Sequence, residues 1–69
     1  MGVIVKHYKG GIYNLIGAAK HTETQEEMTI YEDTKGRMWV RPSSMFHGTI
    51  EVDGEKELRF EVLGTFYKN

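Results

Sequence analysis

Lys56-Glu57-Leu58-Arg59-Phe60-Glu61-Val62 is the stretch whose reading decides the fold. Leu58, Phe60 and Val62 fall on one side of a period-2 alternation; Glu57, Arg59 and Glu61 fall on the other. That pattern belongs to a half-buried β-strand. Just upstream, Asp53-Gly54 is a strong two-residue hairpin signal. Before it, Ile50 and Val52 alternate with Thr49 and Glu51. The expectation is one hairpin that turns Thr49–Val52 back into a single strand over 56–62.

The same logic extends toward the N-terminus. Met28 and Ile30 alternate with Thr29 and Tyr31 before Thr34–Gly36, and Met38 and Val40 alternate with Trp39 and Arg41 after it. Pro42 ends that ladder because it has no N–H to donate. Pro42–Phe46 reads as a single helical turn, with Met45 and Phe46 plugging one end of a core. Ile12, Leu15, Ile16 and Ala19 have helical spacing, but a strand buried on both sides fits residues 11–21 as well. Gly17 costs a helix about 1 kcal/mol, so the strand is preferred. Thr24-Gln25-Glu26-Glu27 has the form of a capping box and admits a short helical turn.

Composition agrees with β structure. Val, Ile, Thr, Phe, Tyr and Trp total 24 of the 69 residues, whereas Ala and Leu total 5. β-branched and aromatic side chains suit a pleated surface, and a helical protein needs Ala and Leu. The chain is expected to be a single small domain over 1–69. It should be mostly β, a small SH3-like partly open barrel of five or six short strands with one helical turn near 42–46. A chain this short buries only about 60% of its unfolded surface, so its core is minimal. With no Cys, disulfides, thiolate nucleophiles and cysteine-held zinc are excluded.

Charge is balanced overall, at −1, but it is arranged in blocks. Residues 1–20 hold Lys6, Lys9 and Lys20 and no acid; residues 34–42 hold Lys35, Arg37 and Arg41 and no acid. Acids fill 21–33 and dominate 43–63. Such blocks ordinarily pair across neighbouring strands; if the basic ones met instead, they would form a cationic patch. No apolar run reaches the ~18 residues of a membrane span, and Val3-Ile4-Val5 is too short for a signal-peptide core. The expectation is a soluble cytoplasmic protein with no membrane partner.

His7-Tyr8-Lys9-Gly10-Gly11, His21-Thr22-Glu23-Thr24, Trp39-Val40-Arg41-Pro42, Met45-Phe46 and Arg59-Phe60 follow one another in a specific order. In this the chain resembles the small prokaryotic family known as domain of unknown function 1653, over roughly residues 5–61. The resemblance implies a mostly β domain and brings no catalytic role. The chain departs from the family between Tyr31 and Trp39, which is shortened and lacks Leu-Tyr-Gly, and at Leu58, where the family commonly has Pro.

Two groups of residues could carry function. One is an aromatic and basic face made of Tyr8, Lys9, Tyr31, Trp39 and Arg41, with Tyr8 and Tyr31 the best exposed candidates. Small barrels use such faces to stack bases or cradle a peptide. The other is His21, Glu23 and Thr24 with Arg41, readable as a ligand-binding or acid–base loop. The preferred reading is a turn in which side chains satisfy loose backbone groups and Glu23 pairs with Arg41. His7, His21 and His47 lack the spacing of a pre-formed metal site, and no cofactor is implied. The leading expectation is a non-enzymatic binding module for nucleic acid, ahead of a protein segment. A small-molecule or catalytic site at His21, Glu23, Thr24 and Arg41 is the alternative.

Overall fold

A computed structural model describes residues 2–66, Phe66 by its backbone only. Strands β1 (Gly2–His7), β2 (Ile12–Lys20), β3 (Glu27–Asp33) and β4 (Met38–Pro42) lead into helix α1 (Ser43–Phe46). Strands β5 (Thr49–Val52), β6 (Glu55–Leu58) and β7 (Phe60–Phe66) follow. The fold is mostly β, as expected. Five strands form an antiparallel sheet in the order β4-β3-β2-β1-β7, and β5 and β6 form a separate two-stranded sheet. The large sheet stays open, since no ladder among the described residues joins β4 to β7.

The turns follow the local chemistry. Asp53 and Gly54 have φ of 52° and 82°, the left-handed pair a tight hairpin needs. Asp33 to Arg37 closes the β3–β4 hairpin with Gly36 at φ 81°. Residues 12–20 are strand, and no helical turn forms at Thr24–Glu27.

Lys56–Val62 is not one strand. Its first half pairs with β5 and its second half with β1, and the chain bends at Arg59 between them. Arg59 serves both sheets: its N–H donates to the Gly48 carbonyl at 3.0 Å, and its carbonyl accepts from the Tyr8 N–H at 2.9 Å. The extra strand boundary makes the count seven rather than five or six. It also separates Leu58, 54% exposed, from the buried Phe60; Val62 shares the Phe60 face but, on the edge strand β7, is 64% exposed.

Val5, Tyr31, Phe46 and Phe60 form the core, with Val3, Tyr13 and Leu15 packed against it. Phe46 and Phe60 stack with centroids 4.1 Å apart, and Tyr31 lies 5.4 Å from each. Aromatic side chains bury the most area per residue, which suits a chain without disulfides. Helix α1 is docked by a buried 2.8 Å hydrogen bond between the Thr29 and Ser43 hydroxyls. It delivers Phe46 into the core and leaves Met45 46% exposed, so one residue of the expected plug is outside.

Tyr31 was expected at the surface and is only 6% exposed. It pairs in register with Trp39, so both point to the same face. β3 is an interior strand whose Tyr31 meets Phe46, whereas β4 is an edge, and Trp39 remains 45% exposed. The opposite face of β4 carries Met38 and Val40, 54% and 60% exposed. No helix among the described residues is long and apolar enough to cross a membrane.

Candidate functional site

His21, Thr22, Glu23 and Thr24 are exposed and form the turn between β2 and β3. His21 Nδ1 accepts from the backbone N–H groups of Glu23 at 3.2 Å and Thr24 at 3.4 Å. Thr24 Oγ1 accepts from the Glu26 N–H at 3.2 Å, and the His21 N–H donates to the Glu26 carbonyl at 2.8 Å. The polar side chains here cap their own turn. Neither the expected Glu23–Arg41 pair nor any other ion pair involves this segment among the described residues.

Arg41 lies elsewhere. Its guanidinium carbon is 5.7 Å from the centre of the Phe60 ring, whose edge also meets the His7 ring at 4.9 Å. His7 and Phe60 are register partners on β1 and β7. Arg59, next to Phe60, donates from Nε to the Met45 carbonyl at 3.1 Å. Lys9 closes the group from the β1–β2 turn; its ammonium lies 5.7 Å from the Tyr8 ring, and Tyr8 in turn packs 4.5 Å from His7. Partial burial, then the charges of Arg41, Arg59 and Lys9, hold the His7 pKa below its ordinary 6.5. His7 Nδ1 accepts from the Lys9 N–H at 3.2 Å, which fits the neutral ring.

Lys9, Arg41 and Arg59 thus converge on one histidine, with no carboxylate within ion-pair range among the described residues. Among the described residues the single ion pair is Arg37 to Asp33, at 2.8 Å within the β3–β4 hairpin. Lys6 and Lys20 of the first basic block stand opposite Glu61 and Glu27 in register, whereas Lys9 and Arg41 have no acidic register partner. Of the residues in this cluster, the sequence reading names Tyr8, Lys9 and Arg41 as candidates, and the structure adds His7 and Arg59 beside them. Tyr31 belongs to the core instead.

Trp39 stands one alternation away from Arg41, on the same face of β4. Its Nε1 donates to Asp33 Oδ2 at 3.0 Å, and the Arg37 guanidinium sits 5.6 Å from its ring. Asp33 also accepts from the Arg37 Nε at 2.8 Å and from the Lys35 and Arg37 N–H groups at 2.9 and 3.0 Å. The Trp39 hydrogen bond, with those from Arg37 and Lys35, holds the Asp33 carboxyl far below the usual carboxylate range. Trp39 forms one wall of a groove of about 230 Å³ shared with Gly11, Tyr13, Lys35 and Arg37. A larger cleft of about 390 Å³ lies under Tyr8, between Lys6, Glu57, Leu58 and Glu61. Among the described residues, no group of three or more His, Asp and Glu side chains is placed to hold a metal ion.

The chain belongs to the family described as "Protein of unknown function (DUF1653)", which it matches over residues 3–62. No curated protein and no solved structure matches it.

Proposed function

We propose that this member of the family is a non-enzymatic binding module that takes the phosphate backbone of a nucleic acid on the face of His7, Lys9, Arg41 and Arg59. One observation carries the reading: three cations gather around a histidine with no carboxylate partner among the described residues, in a chain whose net charge is −1. Like charges brought together repel, and an arriving anion relieves that repulsion. Arg41 and Arg59 offer planar forks suited to phosphate oxygens, and Lys9 adds a mobile point charge beside the exposed Tyr8 ring. The cleft under Tyr8 carries Glu57 and Glu61, so an anion approaches from the side of His7.

Phosphate binding by counter-ion release leaves a salt signature. Titration of a labelled oligonucleotide should give saturable binding that weakens steeply with salt. Arg41→Ala should weaken it and flatten the plot of log K against log salt by about one unit of slope. A synthetic acidic peptide that binds more tightly than any oligonucleotide would transfer the face to a protein partner. Absence of saturable binding at low salt would end the reading.

A further inference from the structure

The groove beside Trp39 is separate from the cationic cluster, and two features make it more than a surface depression. The first is pre-organisation. The indole is fixed by its hydrogen bond to Asp33, and that carboxylate is itself held by Arg37 and by two backbone N–H groups. An exposed aromatic ring normally loses rotamer freedom on binding; here much of that freedom is already gone. The second is charge. Asp33 is the acid lining the groove, and its oxygens are occupied by Arg37, Lys35 and Trp39, so it offers little repulsion to an anion. Lys35 also lines the groove.

Size narrows the occupant. Sites for drug-sized ligands occupy about 300–1,000 Å³, and this groove has about 230 Å³. It suits one planar ring, walled by Trp39 and Tyr13. Arg37 also lines the groove, its guanidinium carbon 5.6 Å from the centre of the indole ring, so a planar ring entering there meets both the indole and a cation. Trp39 and Arg41 are alternate residues on one strand face, about 7 Å apart along the strand. That separation is comparable with one nucleotide step of an extended strand. A base on Trp39 would place a neighbouring phosphate toward Arg41.

We infer that the Trp39 groove receives one unpaired nucleobase, so that the module selects single-stranded over duplex nucleic acid. The inference rests on the phosphate-binding reading above. A base paired in a duplex is stacked on both faces and cannot offer one to an indole without being flipped out. A strand carrying unpaired bases can engage Trp39 while its backbone engages Lys9, Arg41 and Arg59.

Trp39 is the chain's single tryptophan, so its fluorescence reports the groove alone. The experiment titrates the full chain with a short oligothymidylate, an abasic deoxyribose-phosphate strand of equal length and a blunt duplex. Both fluorescence and the anisotropy of labelled strands are read. The thymidylate should quench Trp39 and bind about 5- to 150-fold more tightly than the abasic strand, the range expected for one stacked base. Trp39→Ala should bring thymidylate affinity down to the abasic level and leave abasic binding unchanged, while Trp39→Phe keeps most of the difference. Equal affinity for thymidylate and abasic strand without quenching would overturn the stacking inference and leave phosphate binding standing. Duplex binding as tight as single-strand binding would overturn it as well. If no strand binds, the phosphate reading falls and the groove inference with it.

Discussion

His21-Thr22-Glu23-Thr24 and Trp39-Val40-Arg41-Pro42 look alike as sequence, each a polar or charged motif beside apolar strands, yet they use their side chains in opposite ways. In the first, His21 and Thr24 accept hydrogen bonds from backbone N–H groups of their own turn. In the second, Arg41 lies over Phe60 without an acid, and Trp39 shows nearly half its surface. A polar side chain bonded to its own backbone has little left to offer a ligand. A cation held without a partner has its full charge available. The contrast separates a motif that holds the fold from one that can act outside it.

The largest effect should come from reversing the charge that distinguishes the two. Arg41→Glu puts a carboxylate among Lys9, Arg59 and His7 and should cost oligonucleotide binding at least 100-fold at low salt. His21→Ala should leave binding within twofold and lower unfolding stability by about 1 kcal/mol, the worth of an ordinary hydrogen bond. The two results, from binding titration and chemical denaturation, break the comparison if they exchange places. A more moderate effect is expected from Asp33→Asn. The neutral amide should loosen Arg37 and Trp39 together, weakening single-strand binding by about tenfold and shifting the Trp39 emission toward that of a freely exposed indole.

How much of this was legible depends on which interactions set each feature. Turns at Gly36 and Asp53-Gly54 are local, fixed by the left-handed backbone that their residues favour, and they stand where sequence places them. The strand over 12–20 stands where the Gly17 argument puts it, but it is not buried on both sides: its register shifts between Leu15 and Gly17, and residues 16–20 are exposed. The break at Arg59 was not legible, because alternation runs through it unchanged. Only the competing partners, Gly48 on one side and Tyr8 on the other, divide the stretch. Tyr31 and Trp39 make the same point on the site. Their alternation is equivalent, and interior against edge position decides which is buried. The placing of Arg59 and His7 beside Arg41 was not legible, because it depends on the edge-to-face contact of Phe60 on β7 with His7 on β1.

The cationic cluster should also sense pH. His7 has a folded-state pKa below its ordinary 6.5, so the folded chain binds its proton less readily than the unfolded chain. Its contribution to stability is present in full above pH 6.5 and is lost as pH falls below that through the folded value. A bound phosphate adds negative charge beside the ring and raises that pKa, so binding takes up a proton. Affinity for the oligonucleotide should therefore rise several-fold as pH is lowered from 7.5 to about 5.5. His7→Ala should flatten that rise. A profile that instead stays level in the unsubstituted chain would separate His7 from the anion.

The smallest effect is expected in the turn that holds the fold. Gln25 has φ of 63°, a left-handed backbone that costs a residue with a Cβ about 1–2 kcal/mol. Gly removes that cost, but it frees the unfolded chain and gives back roughly 0.5–1 kcal/mol. Gln25→Gly also removes the weak 3.4 Å contact from Nε2 to the Thr22 carbonyl. The net should be a gain of about 0.5 kcal/mol in stability, read by denaturation, with oligonucleotide affinity unchanged. The sign follows because the Gln25 N–H bond to the His21 carbonyl at 2.9 Å is a backbone bond that Gly retains. A stabilised turn with altered affinity would show the ligand touching His21-Thr22-Glu23-Thr24, and the separation between the two motifs would no longer hold.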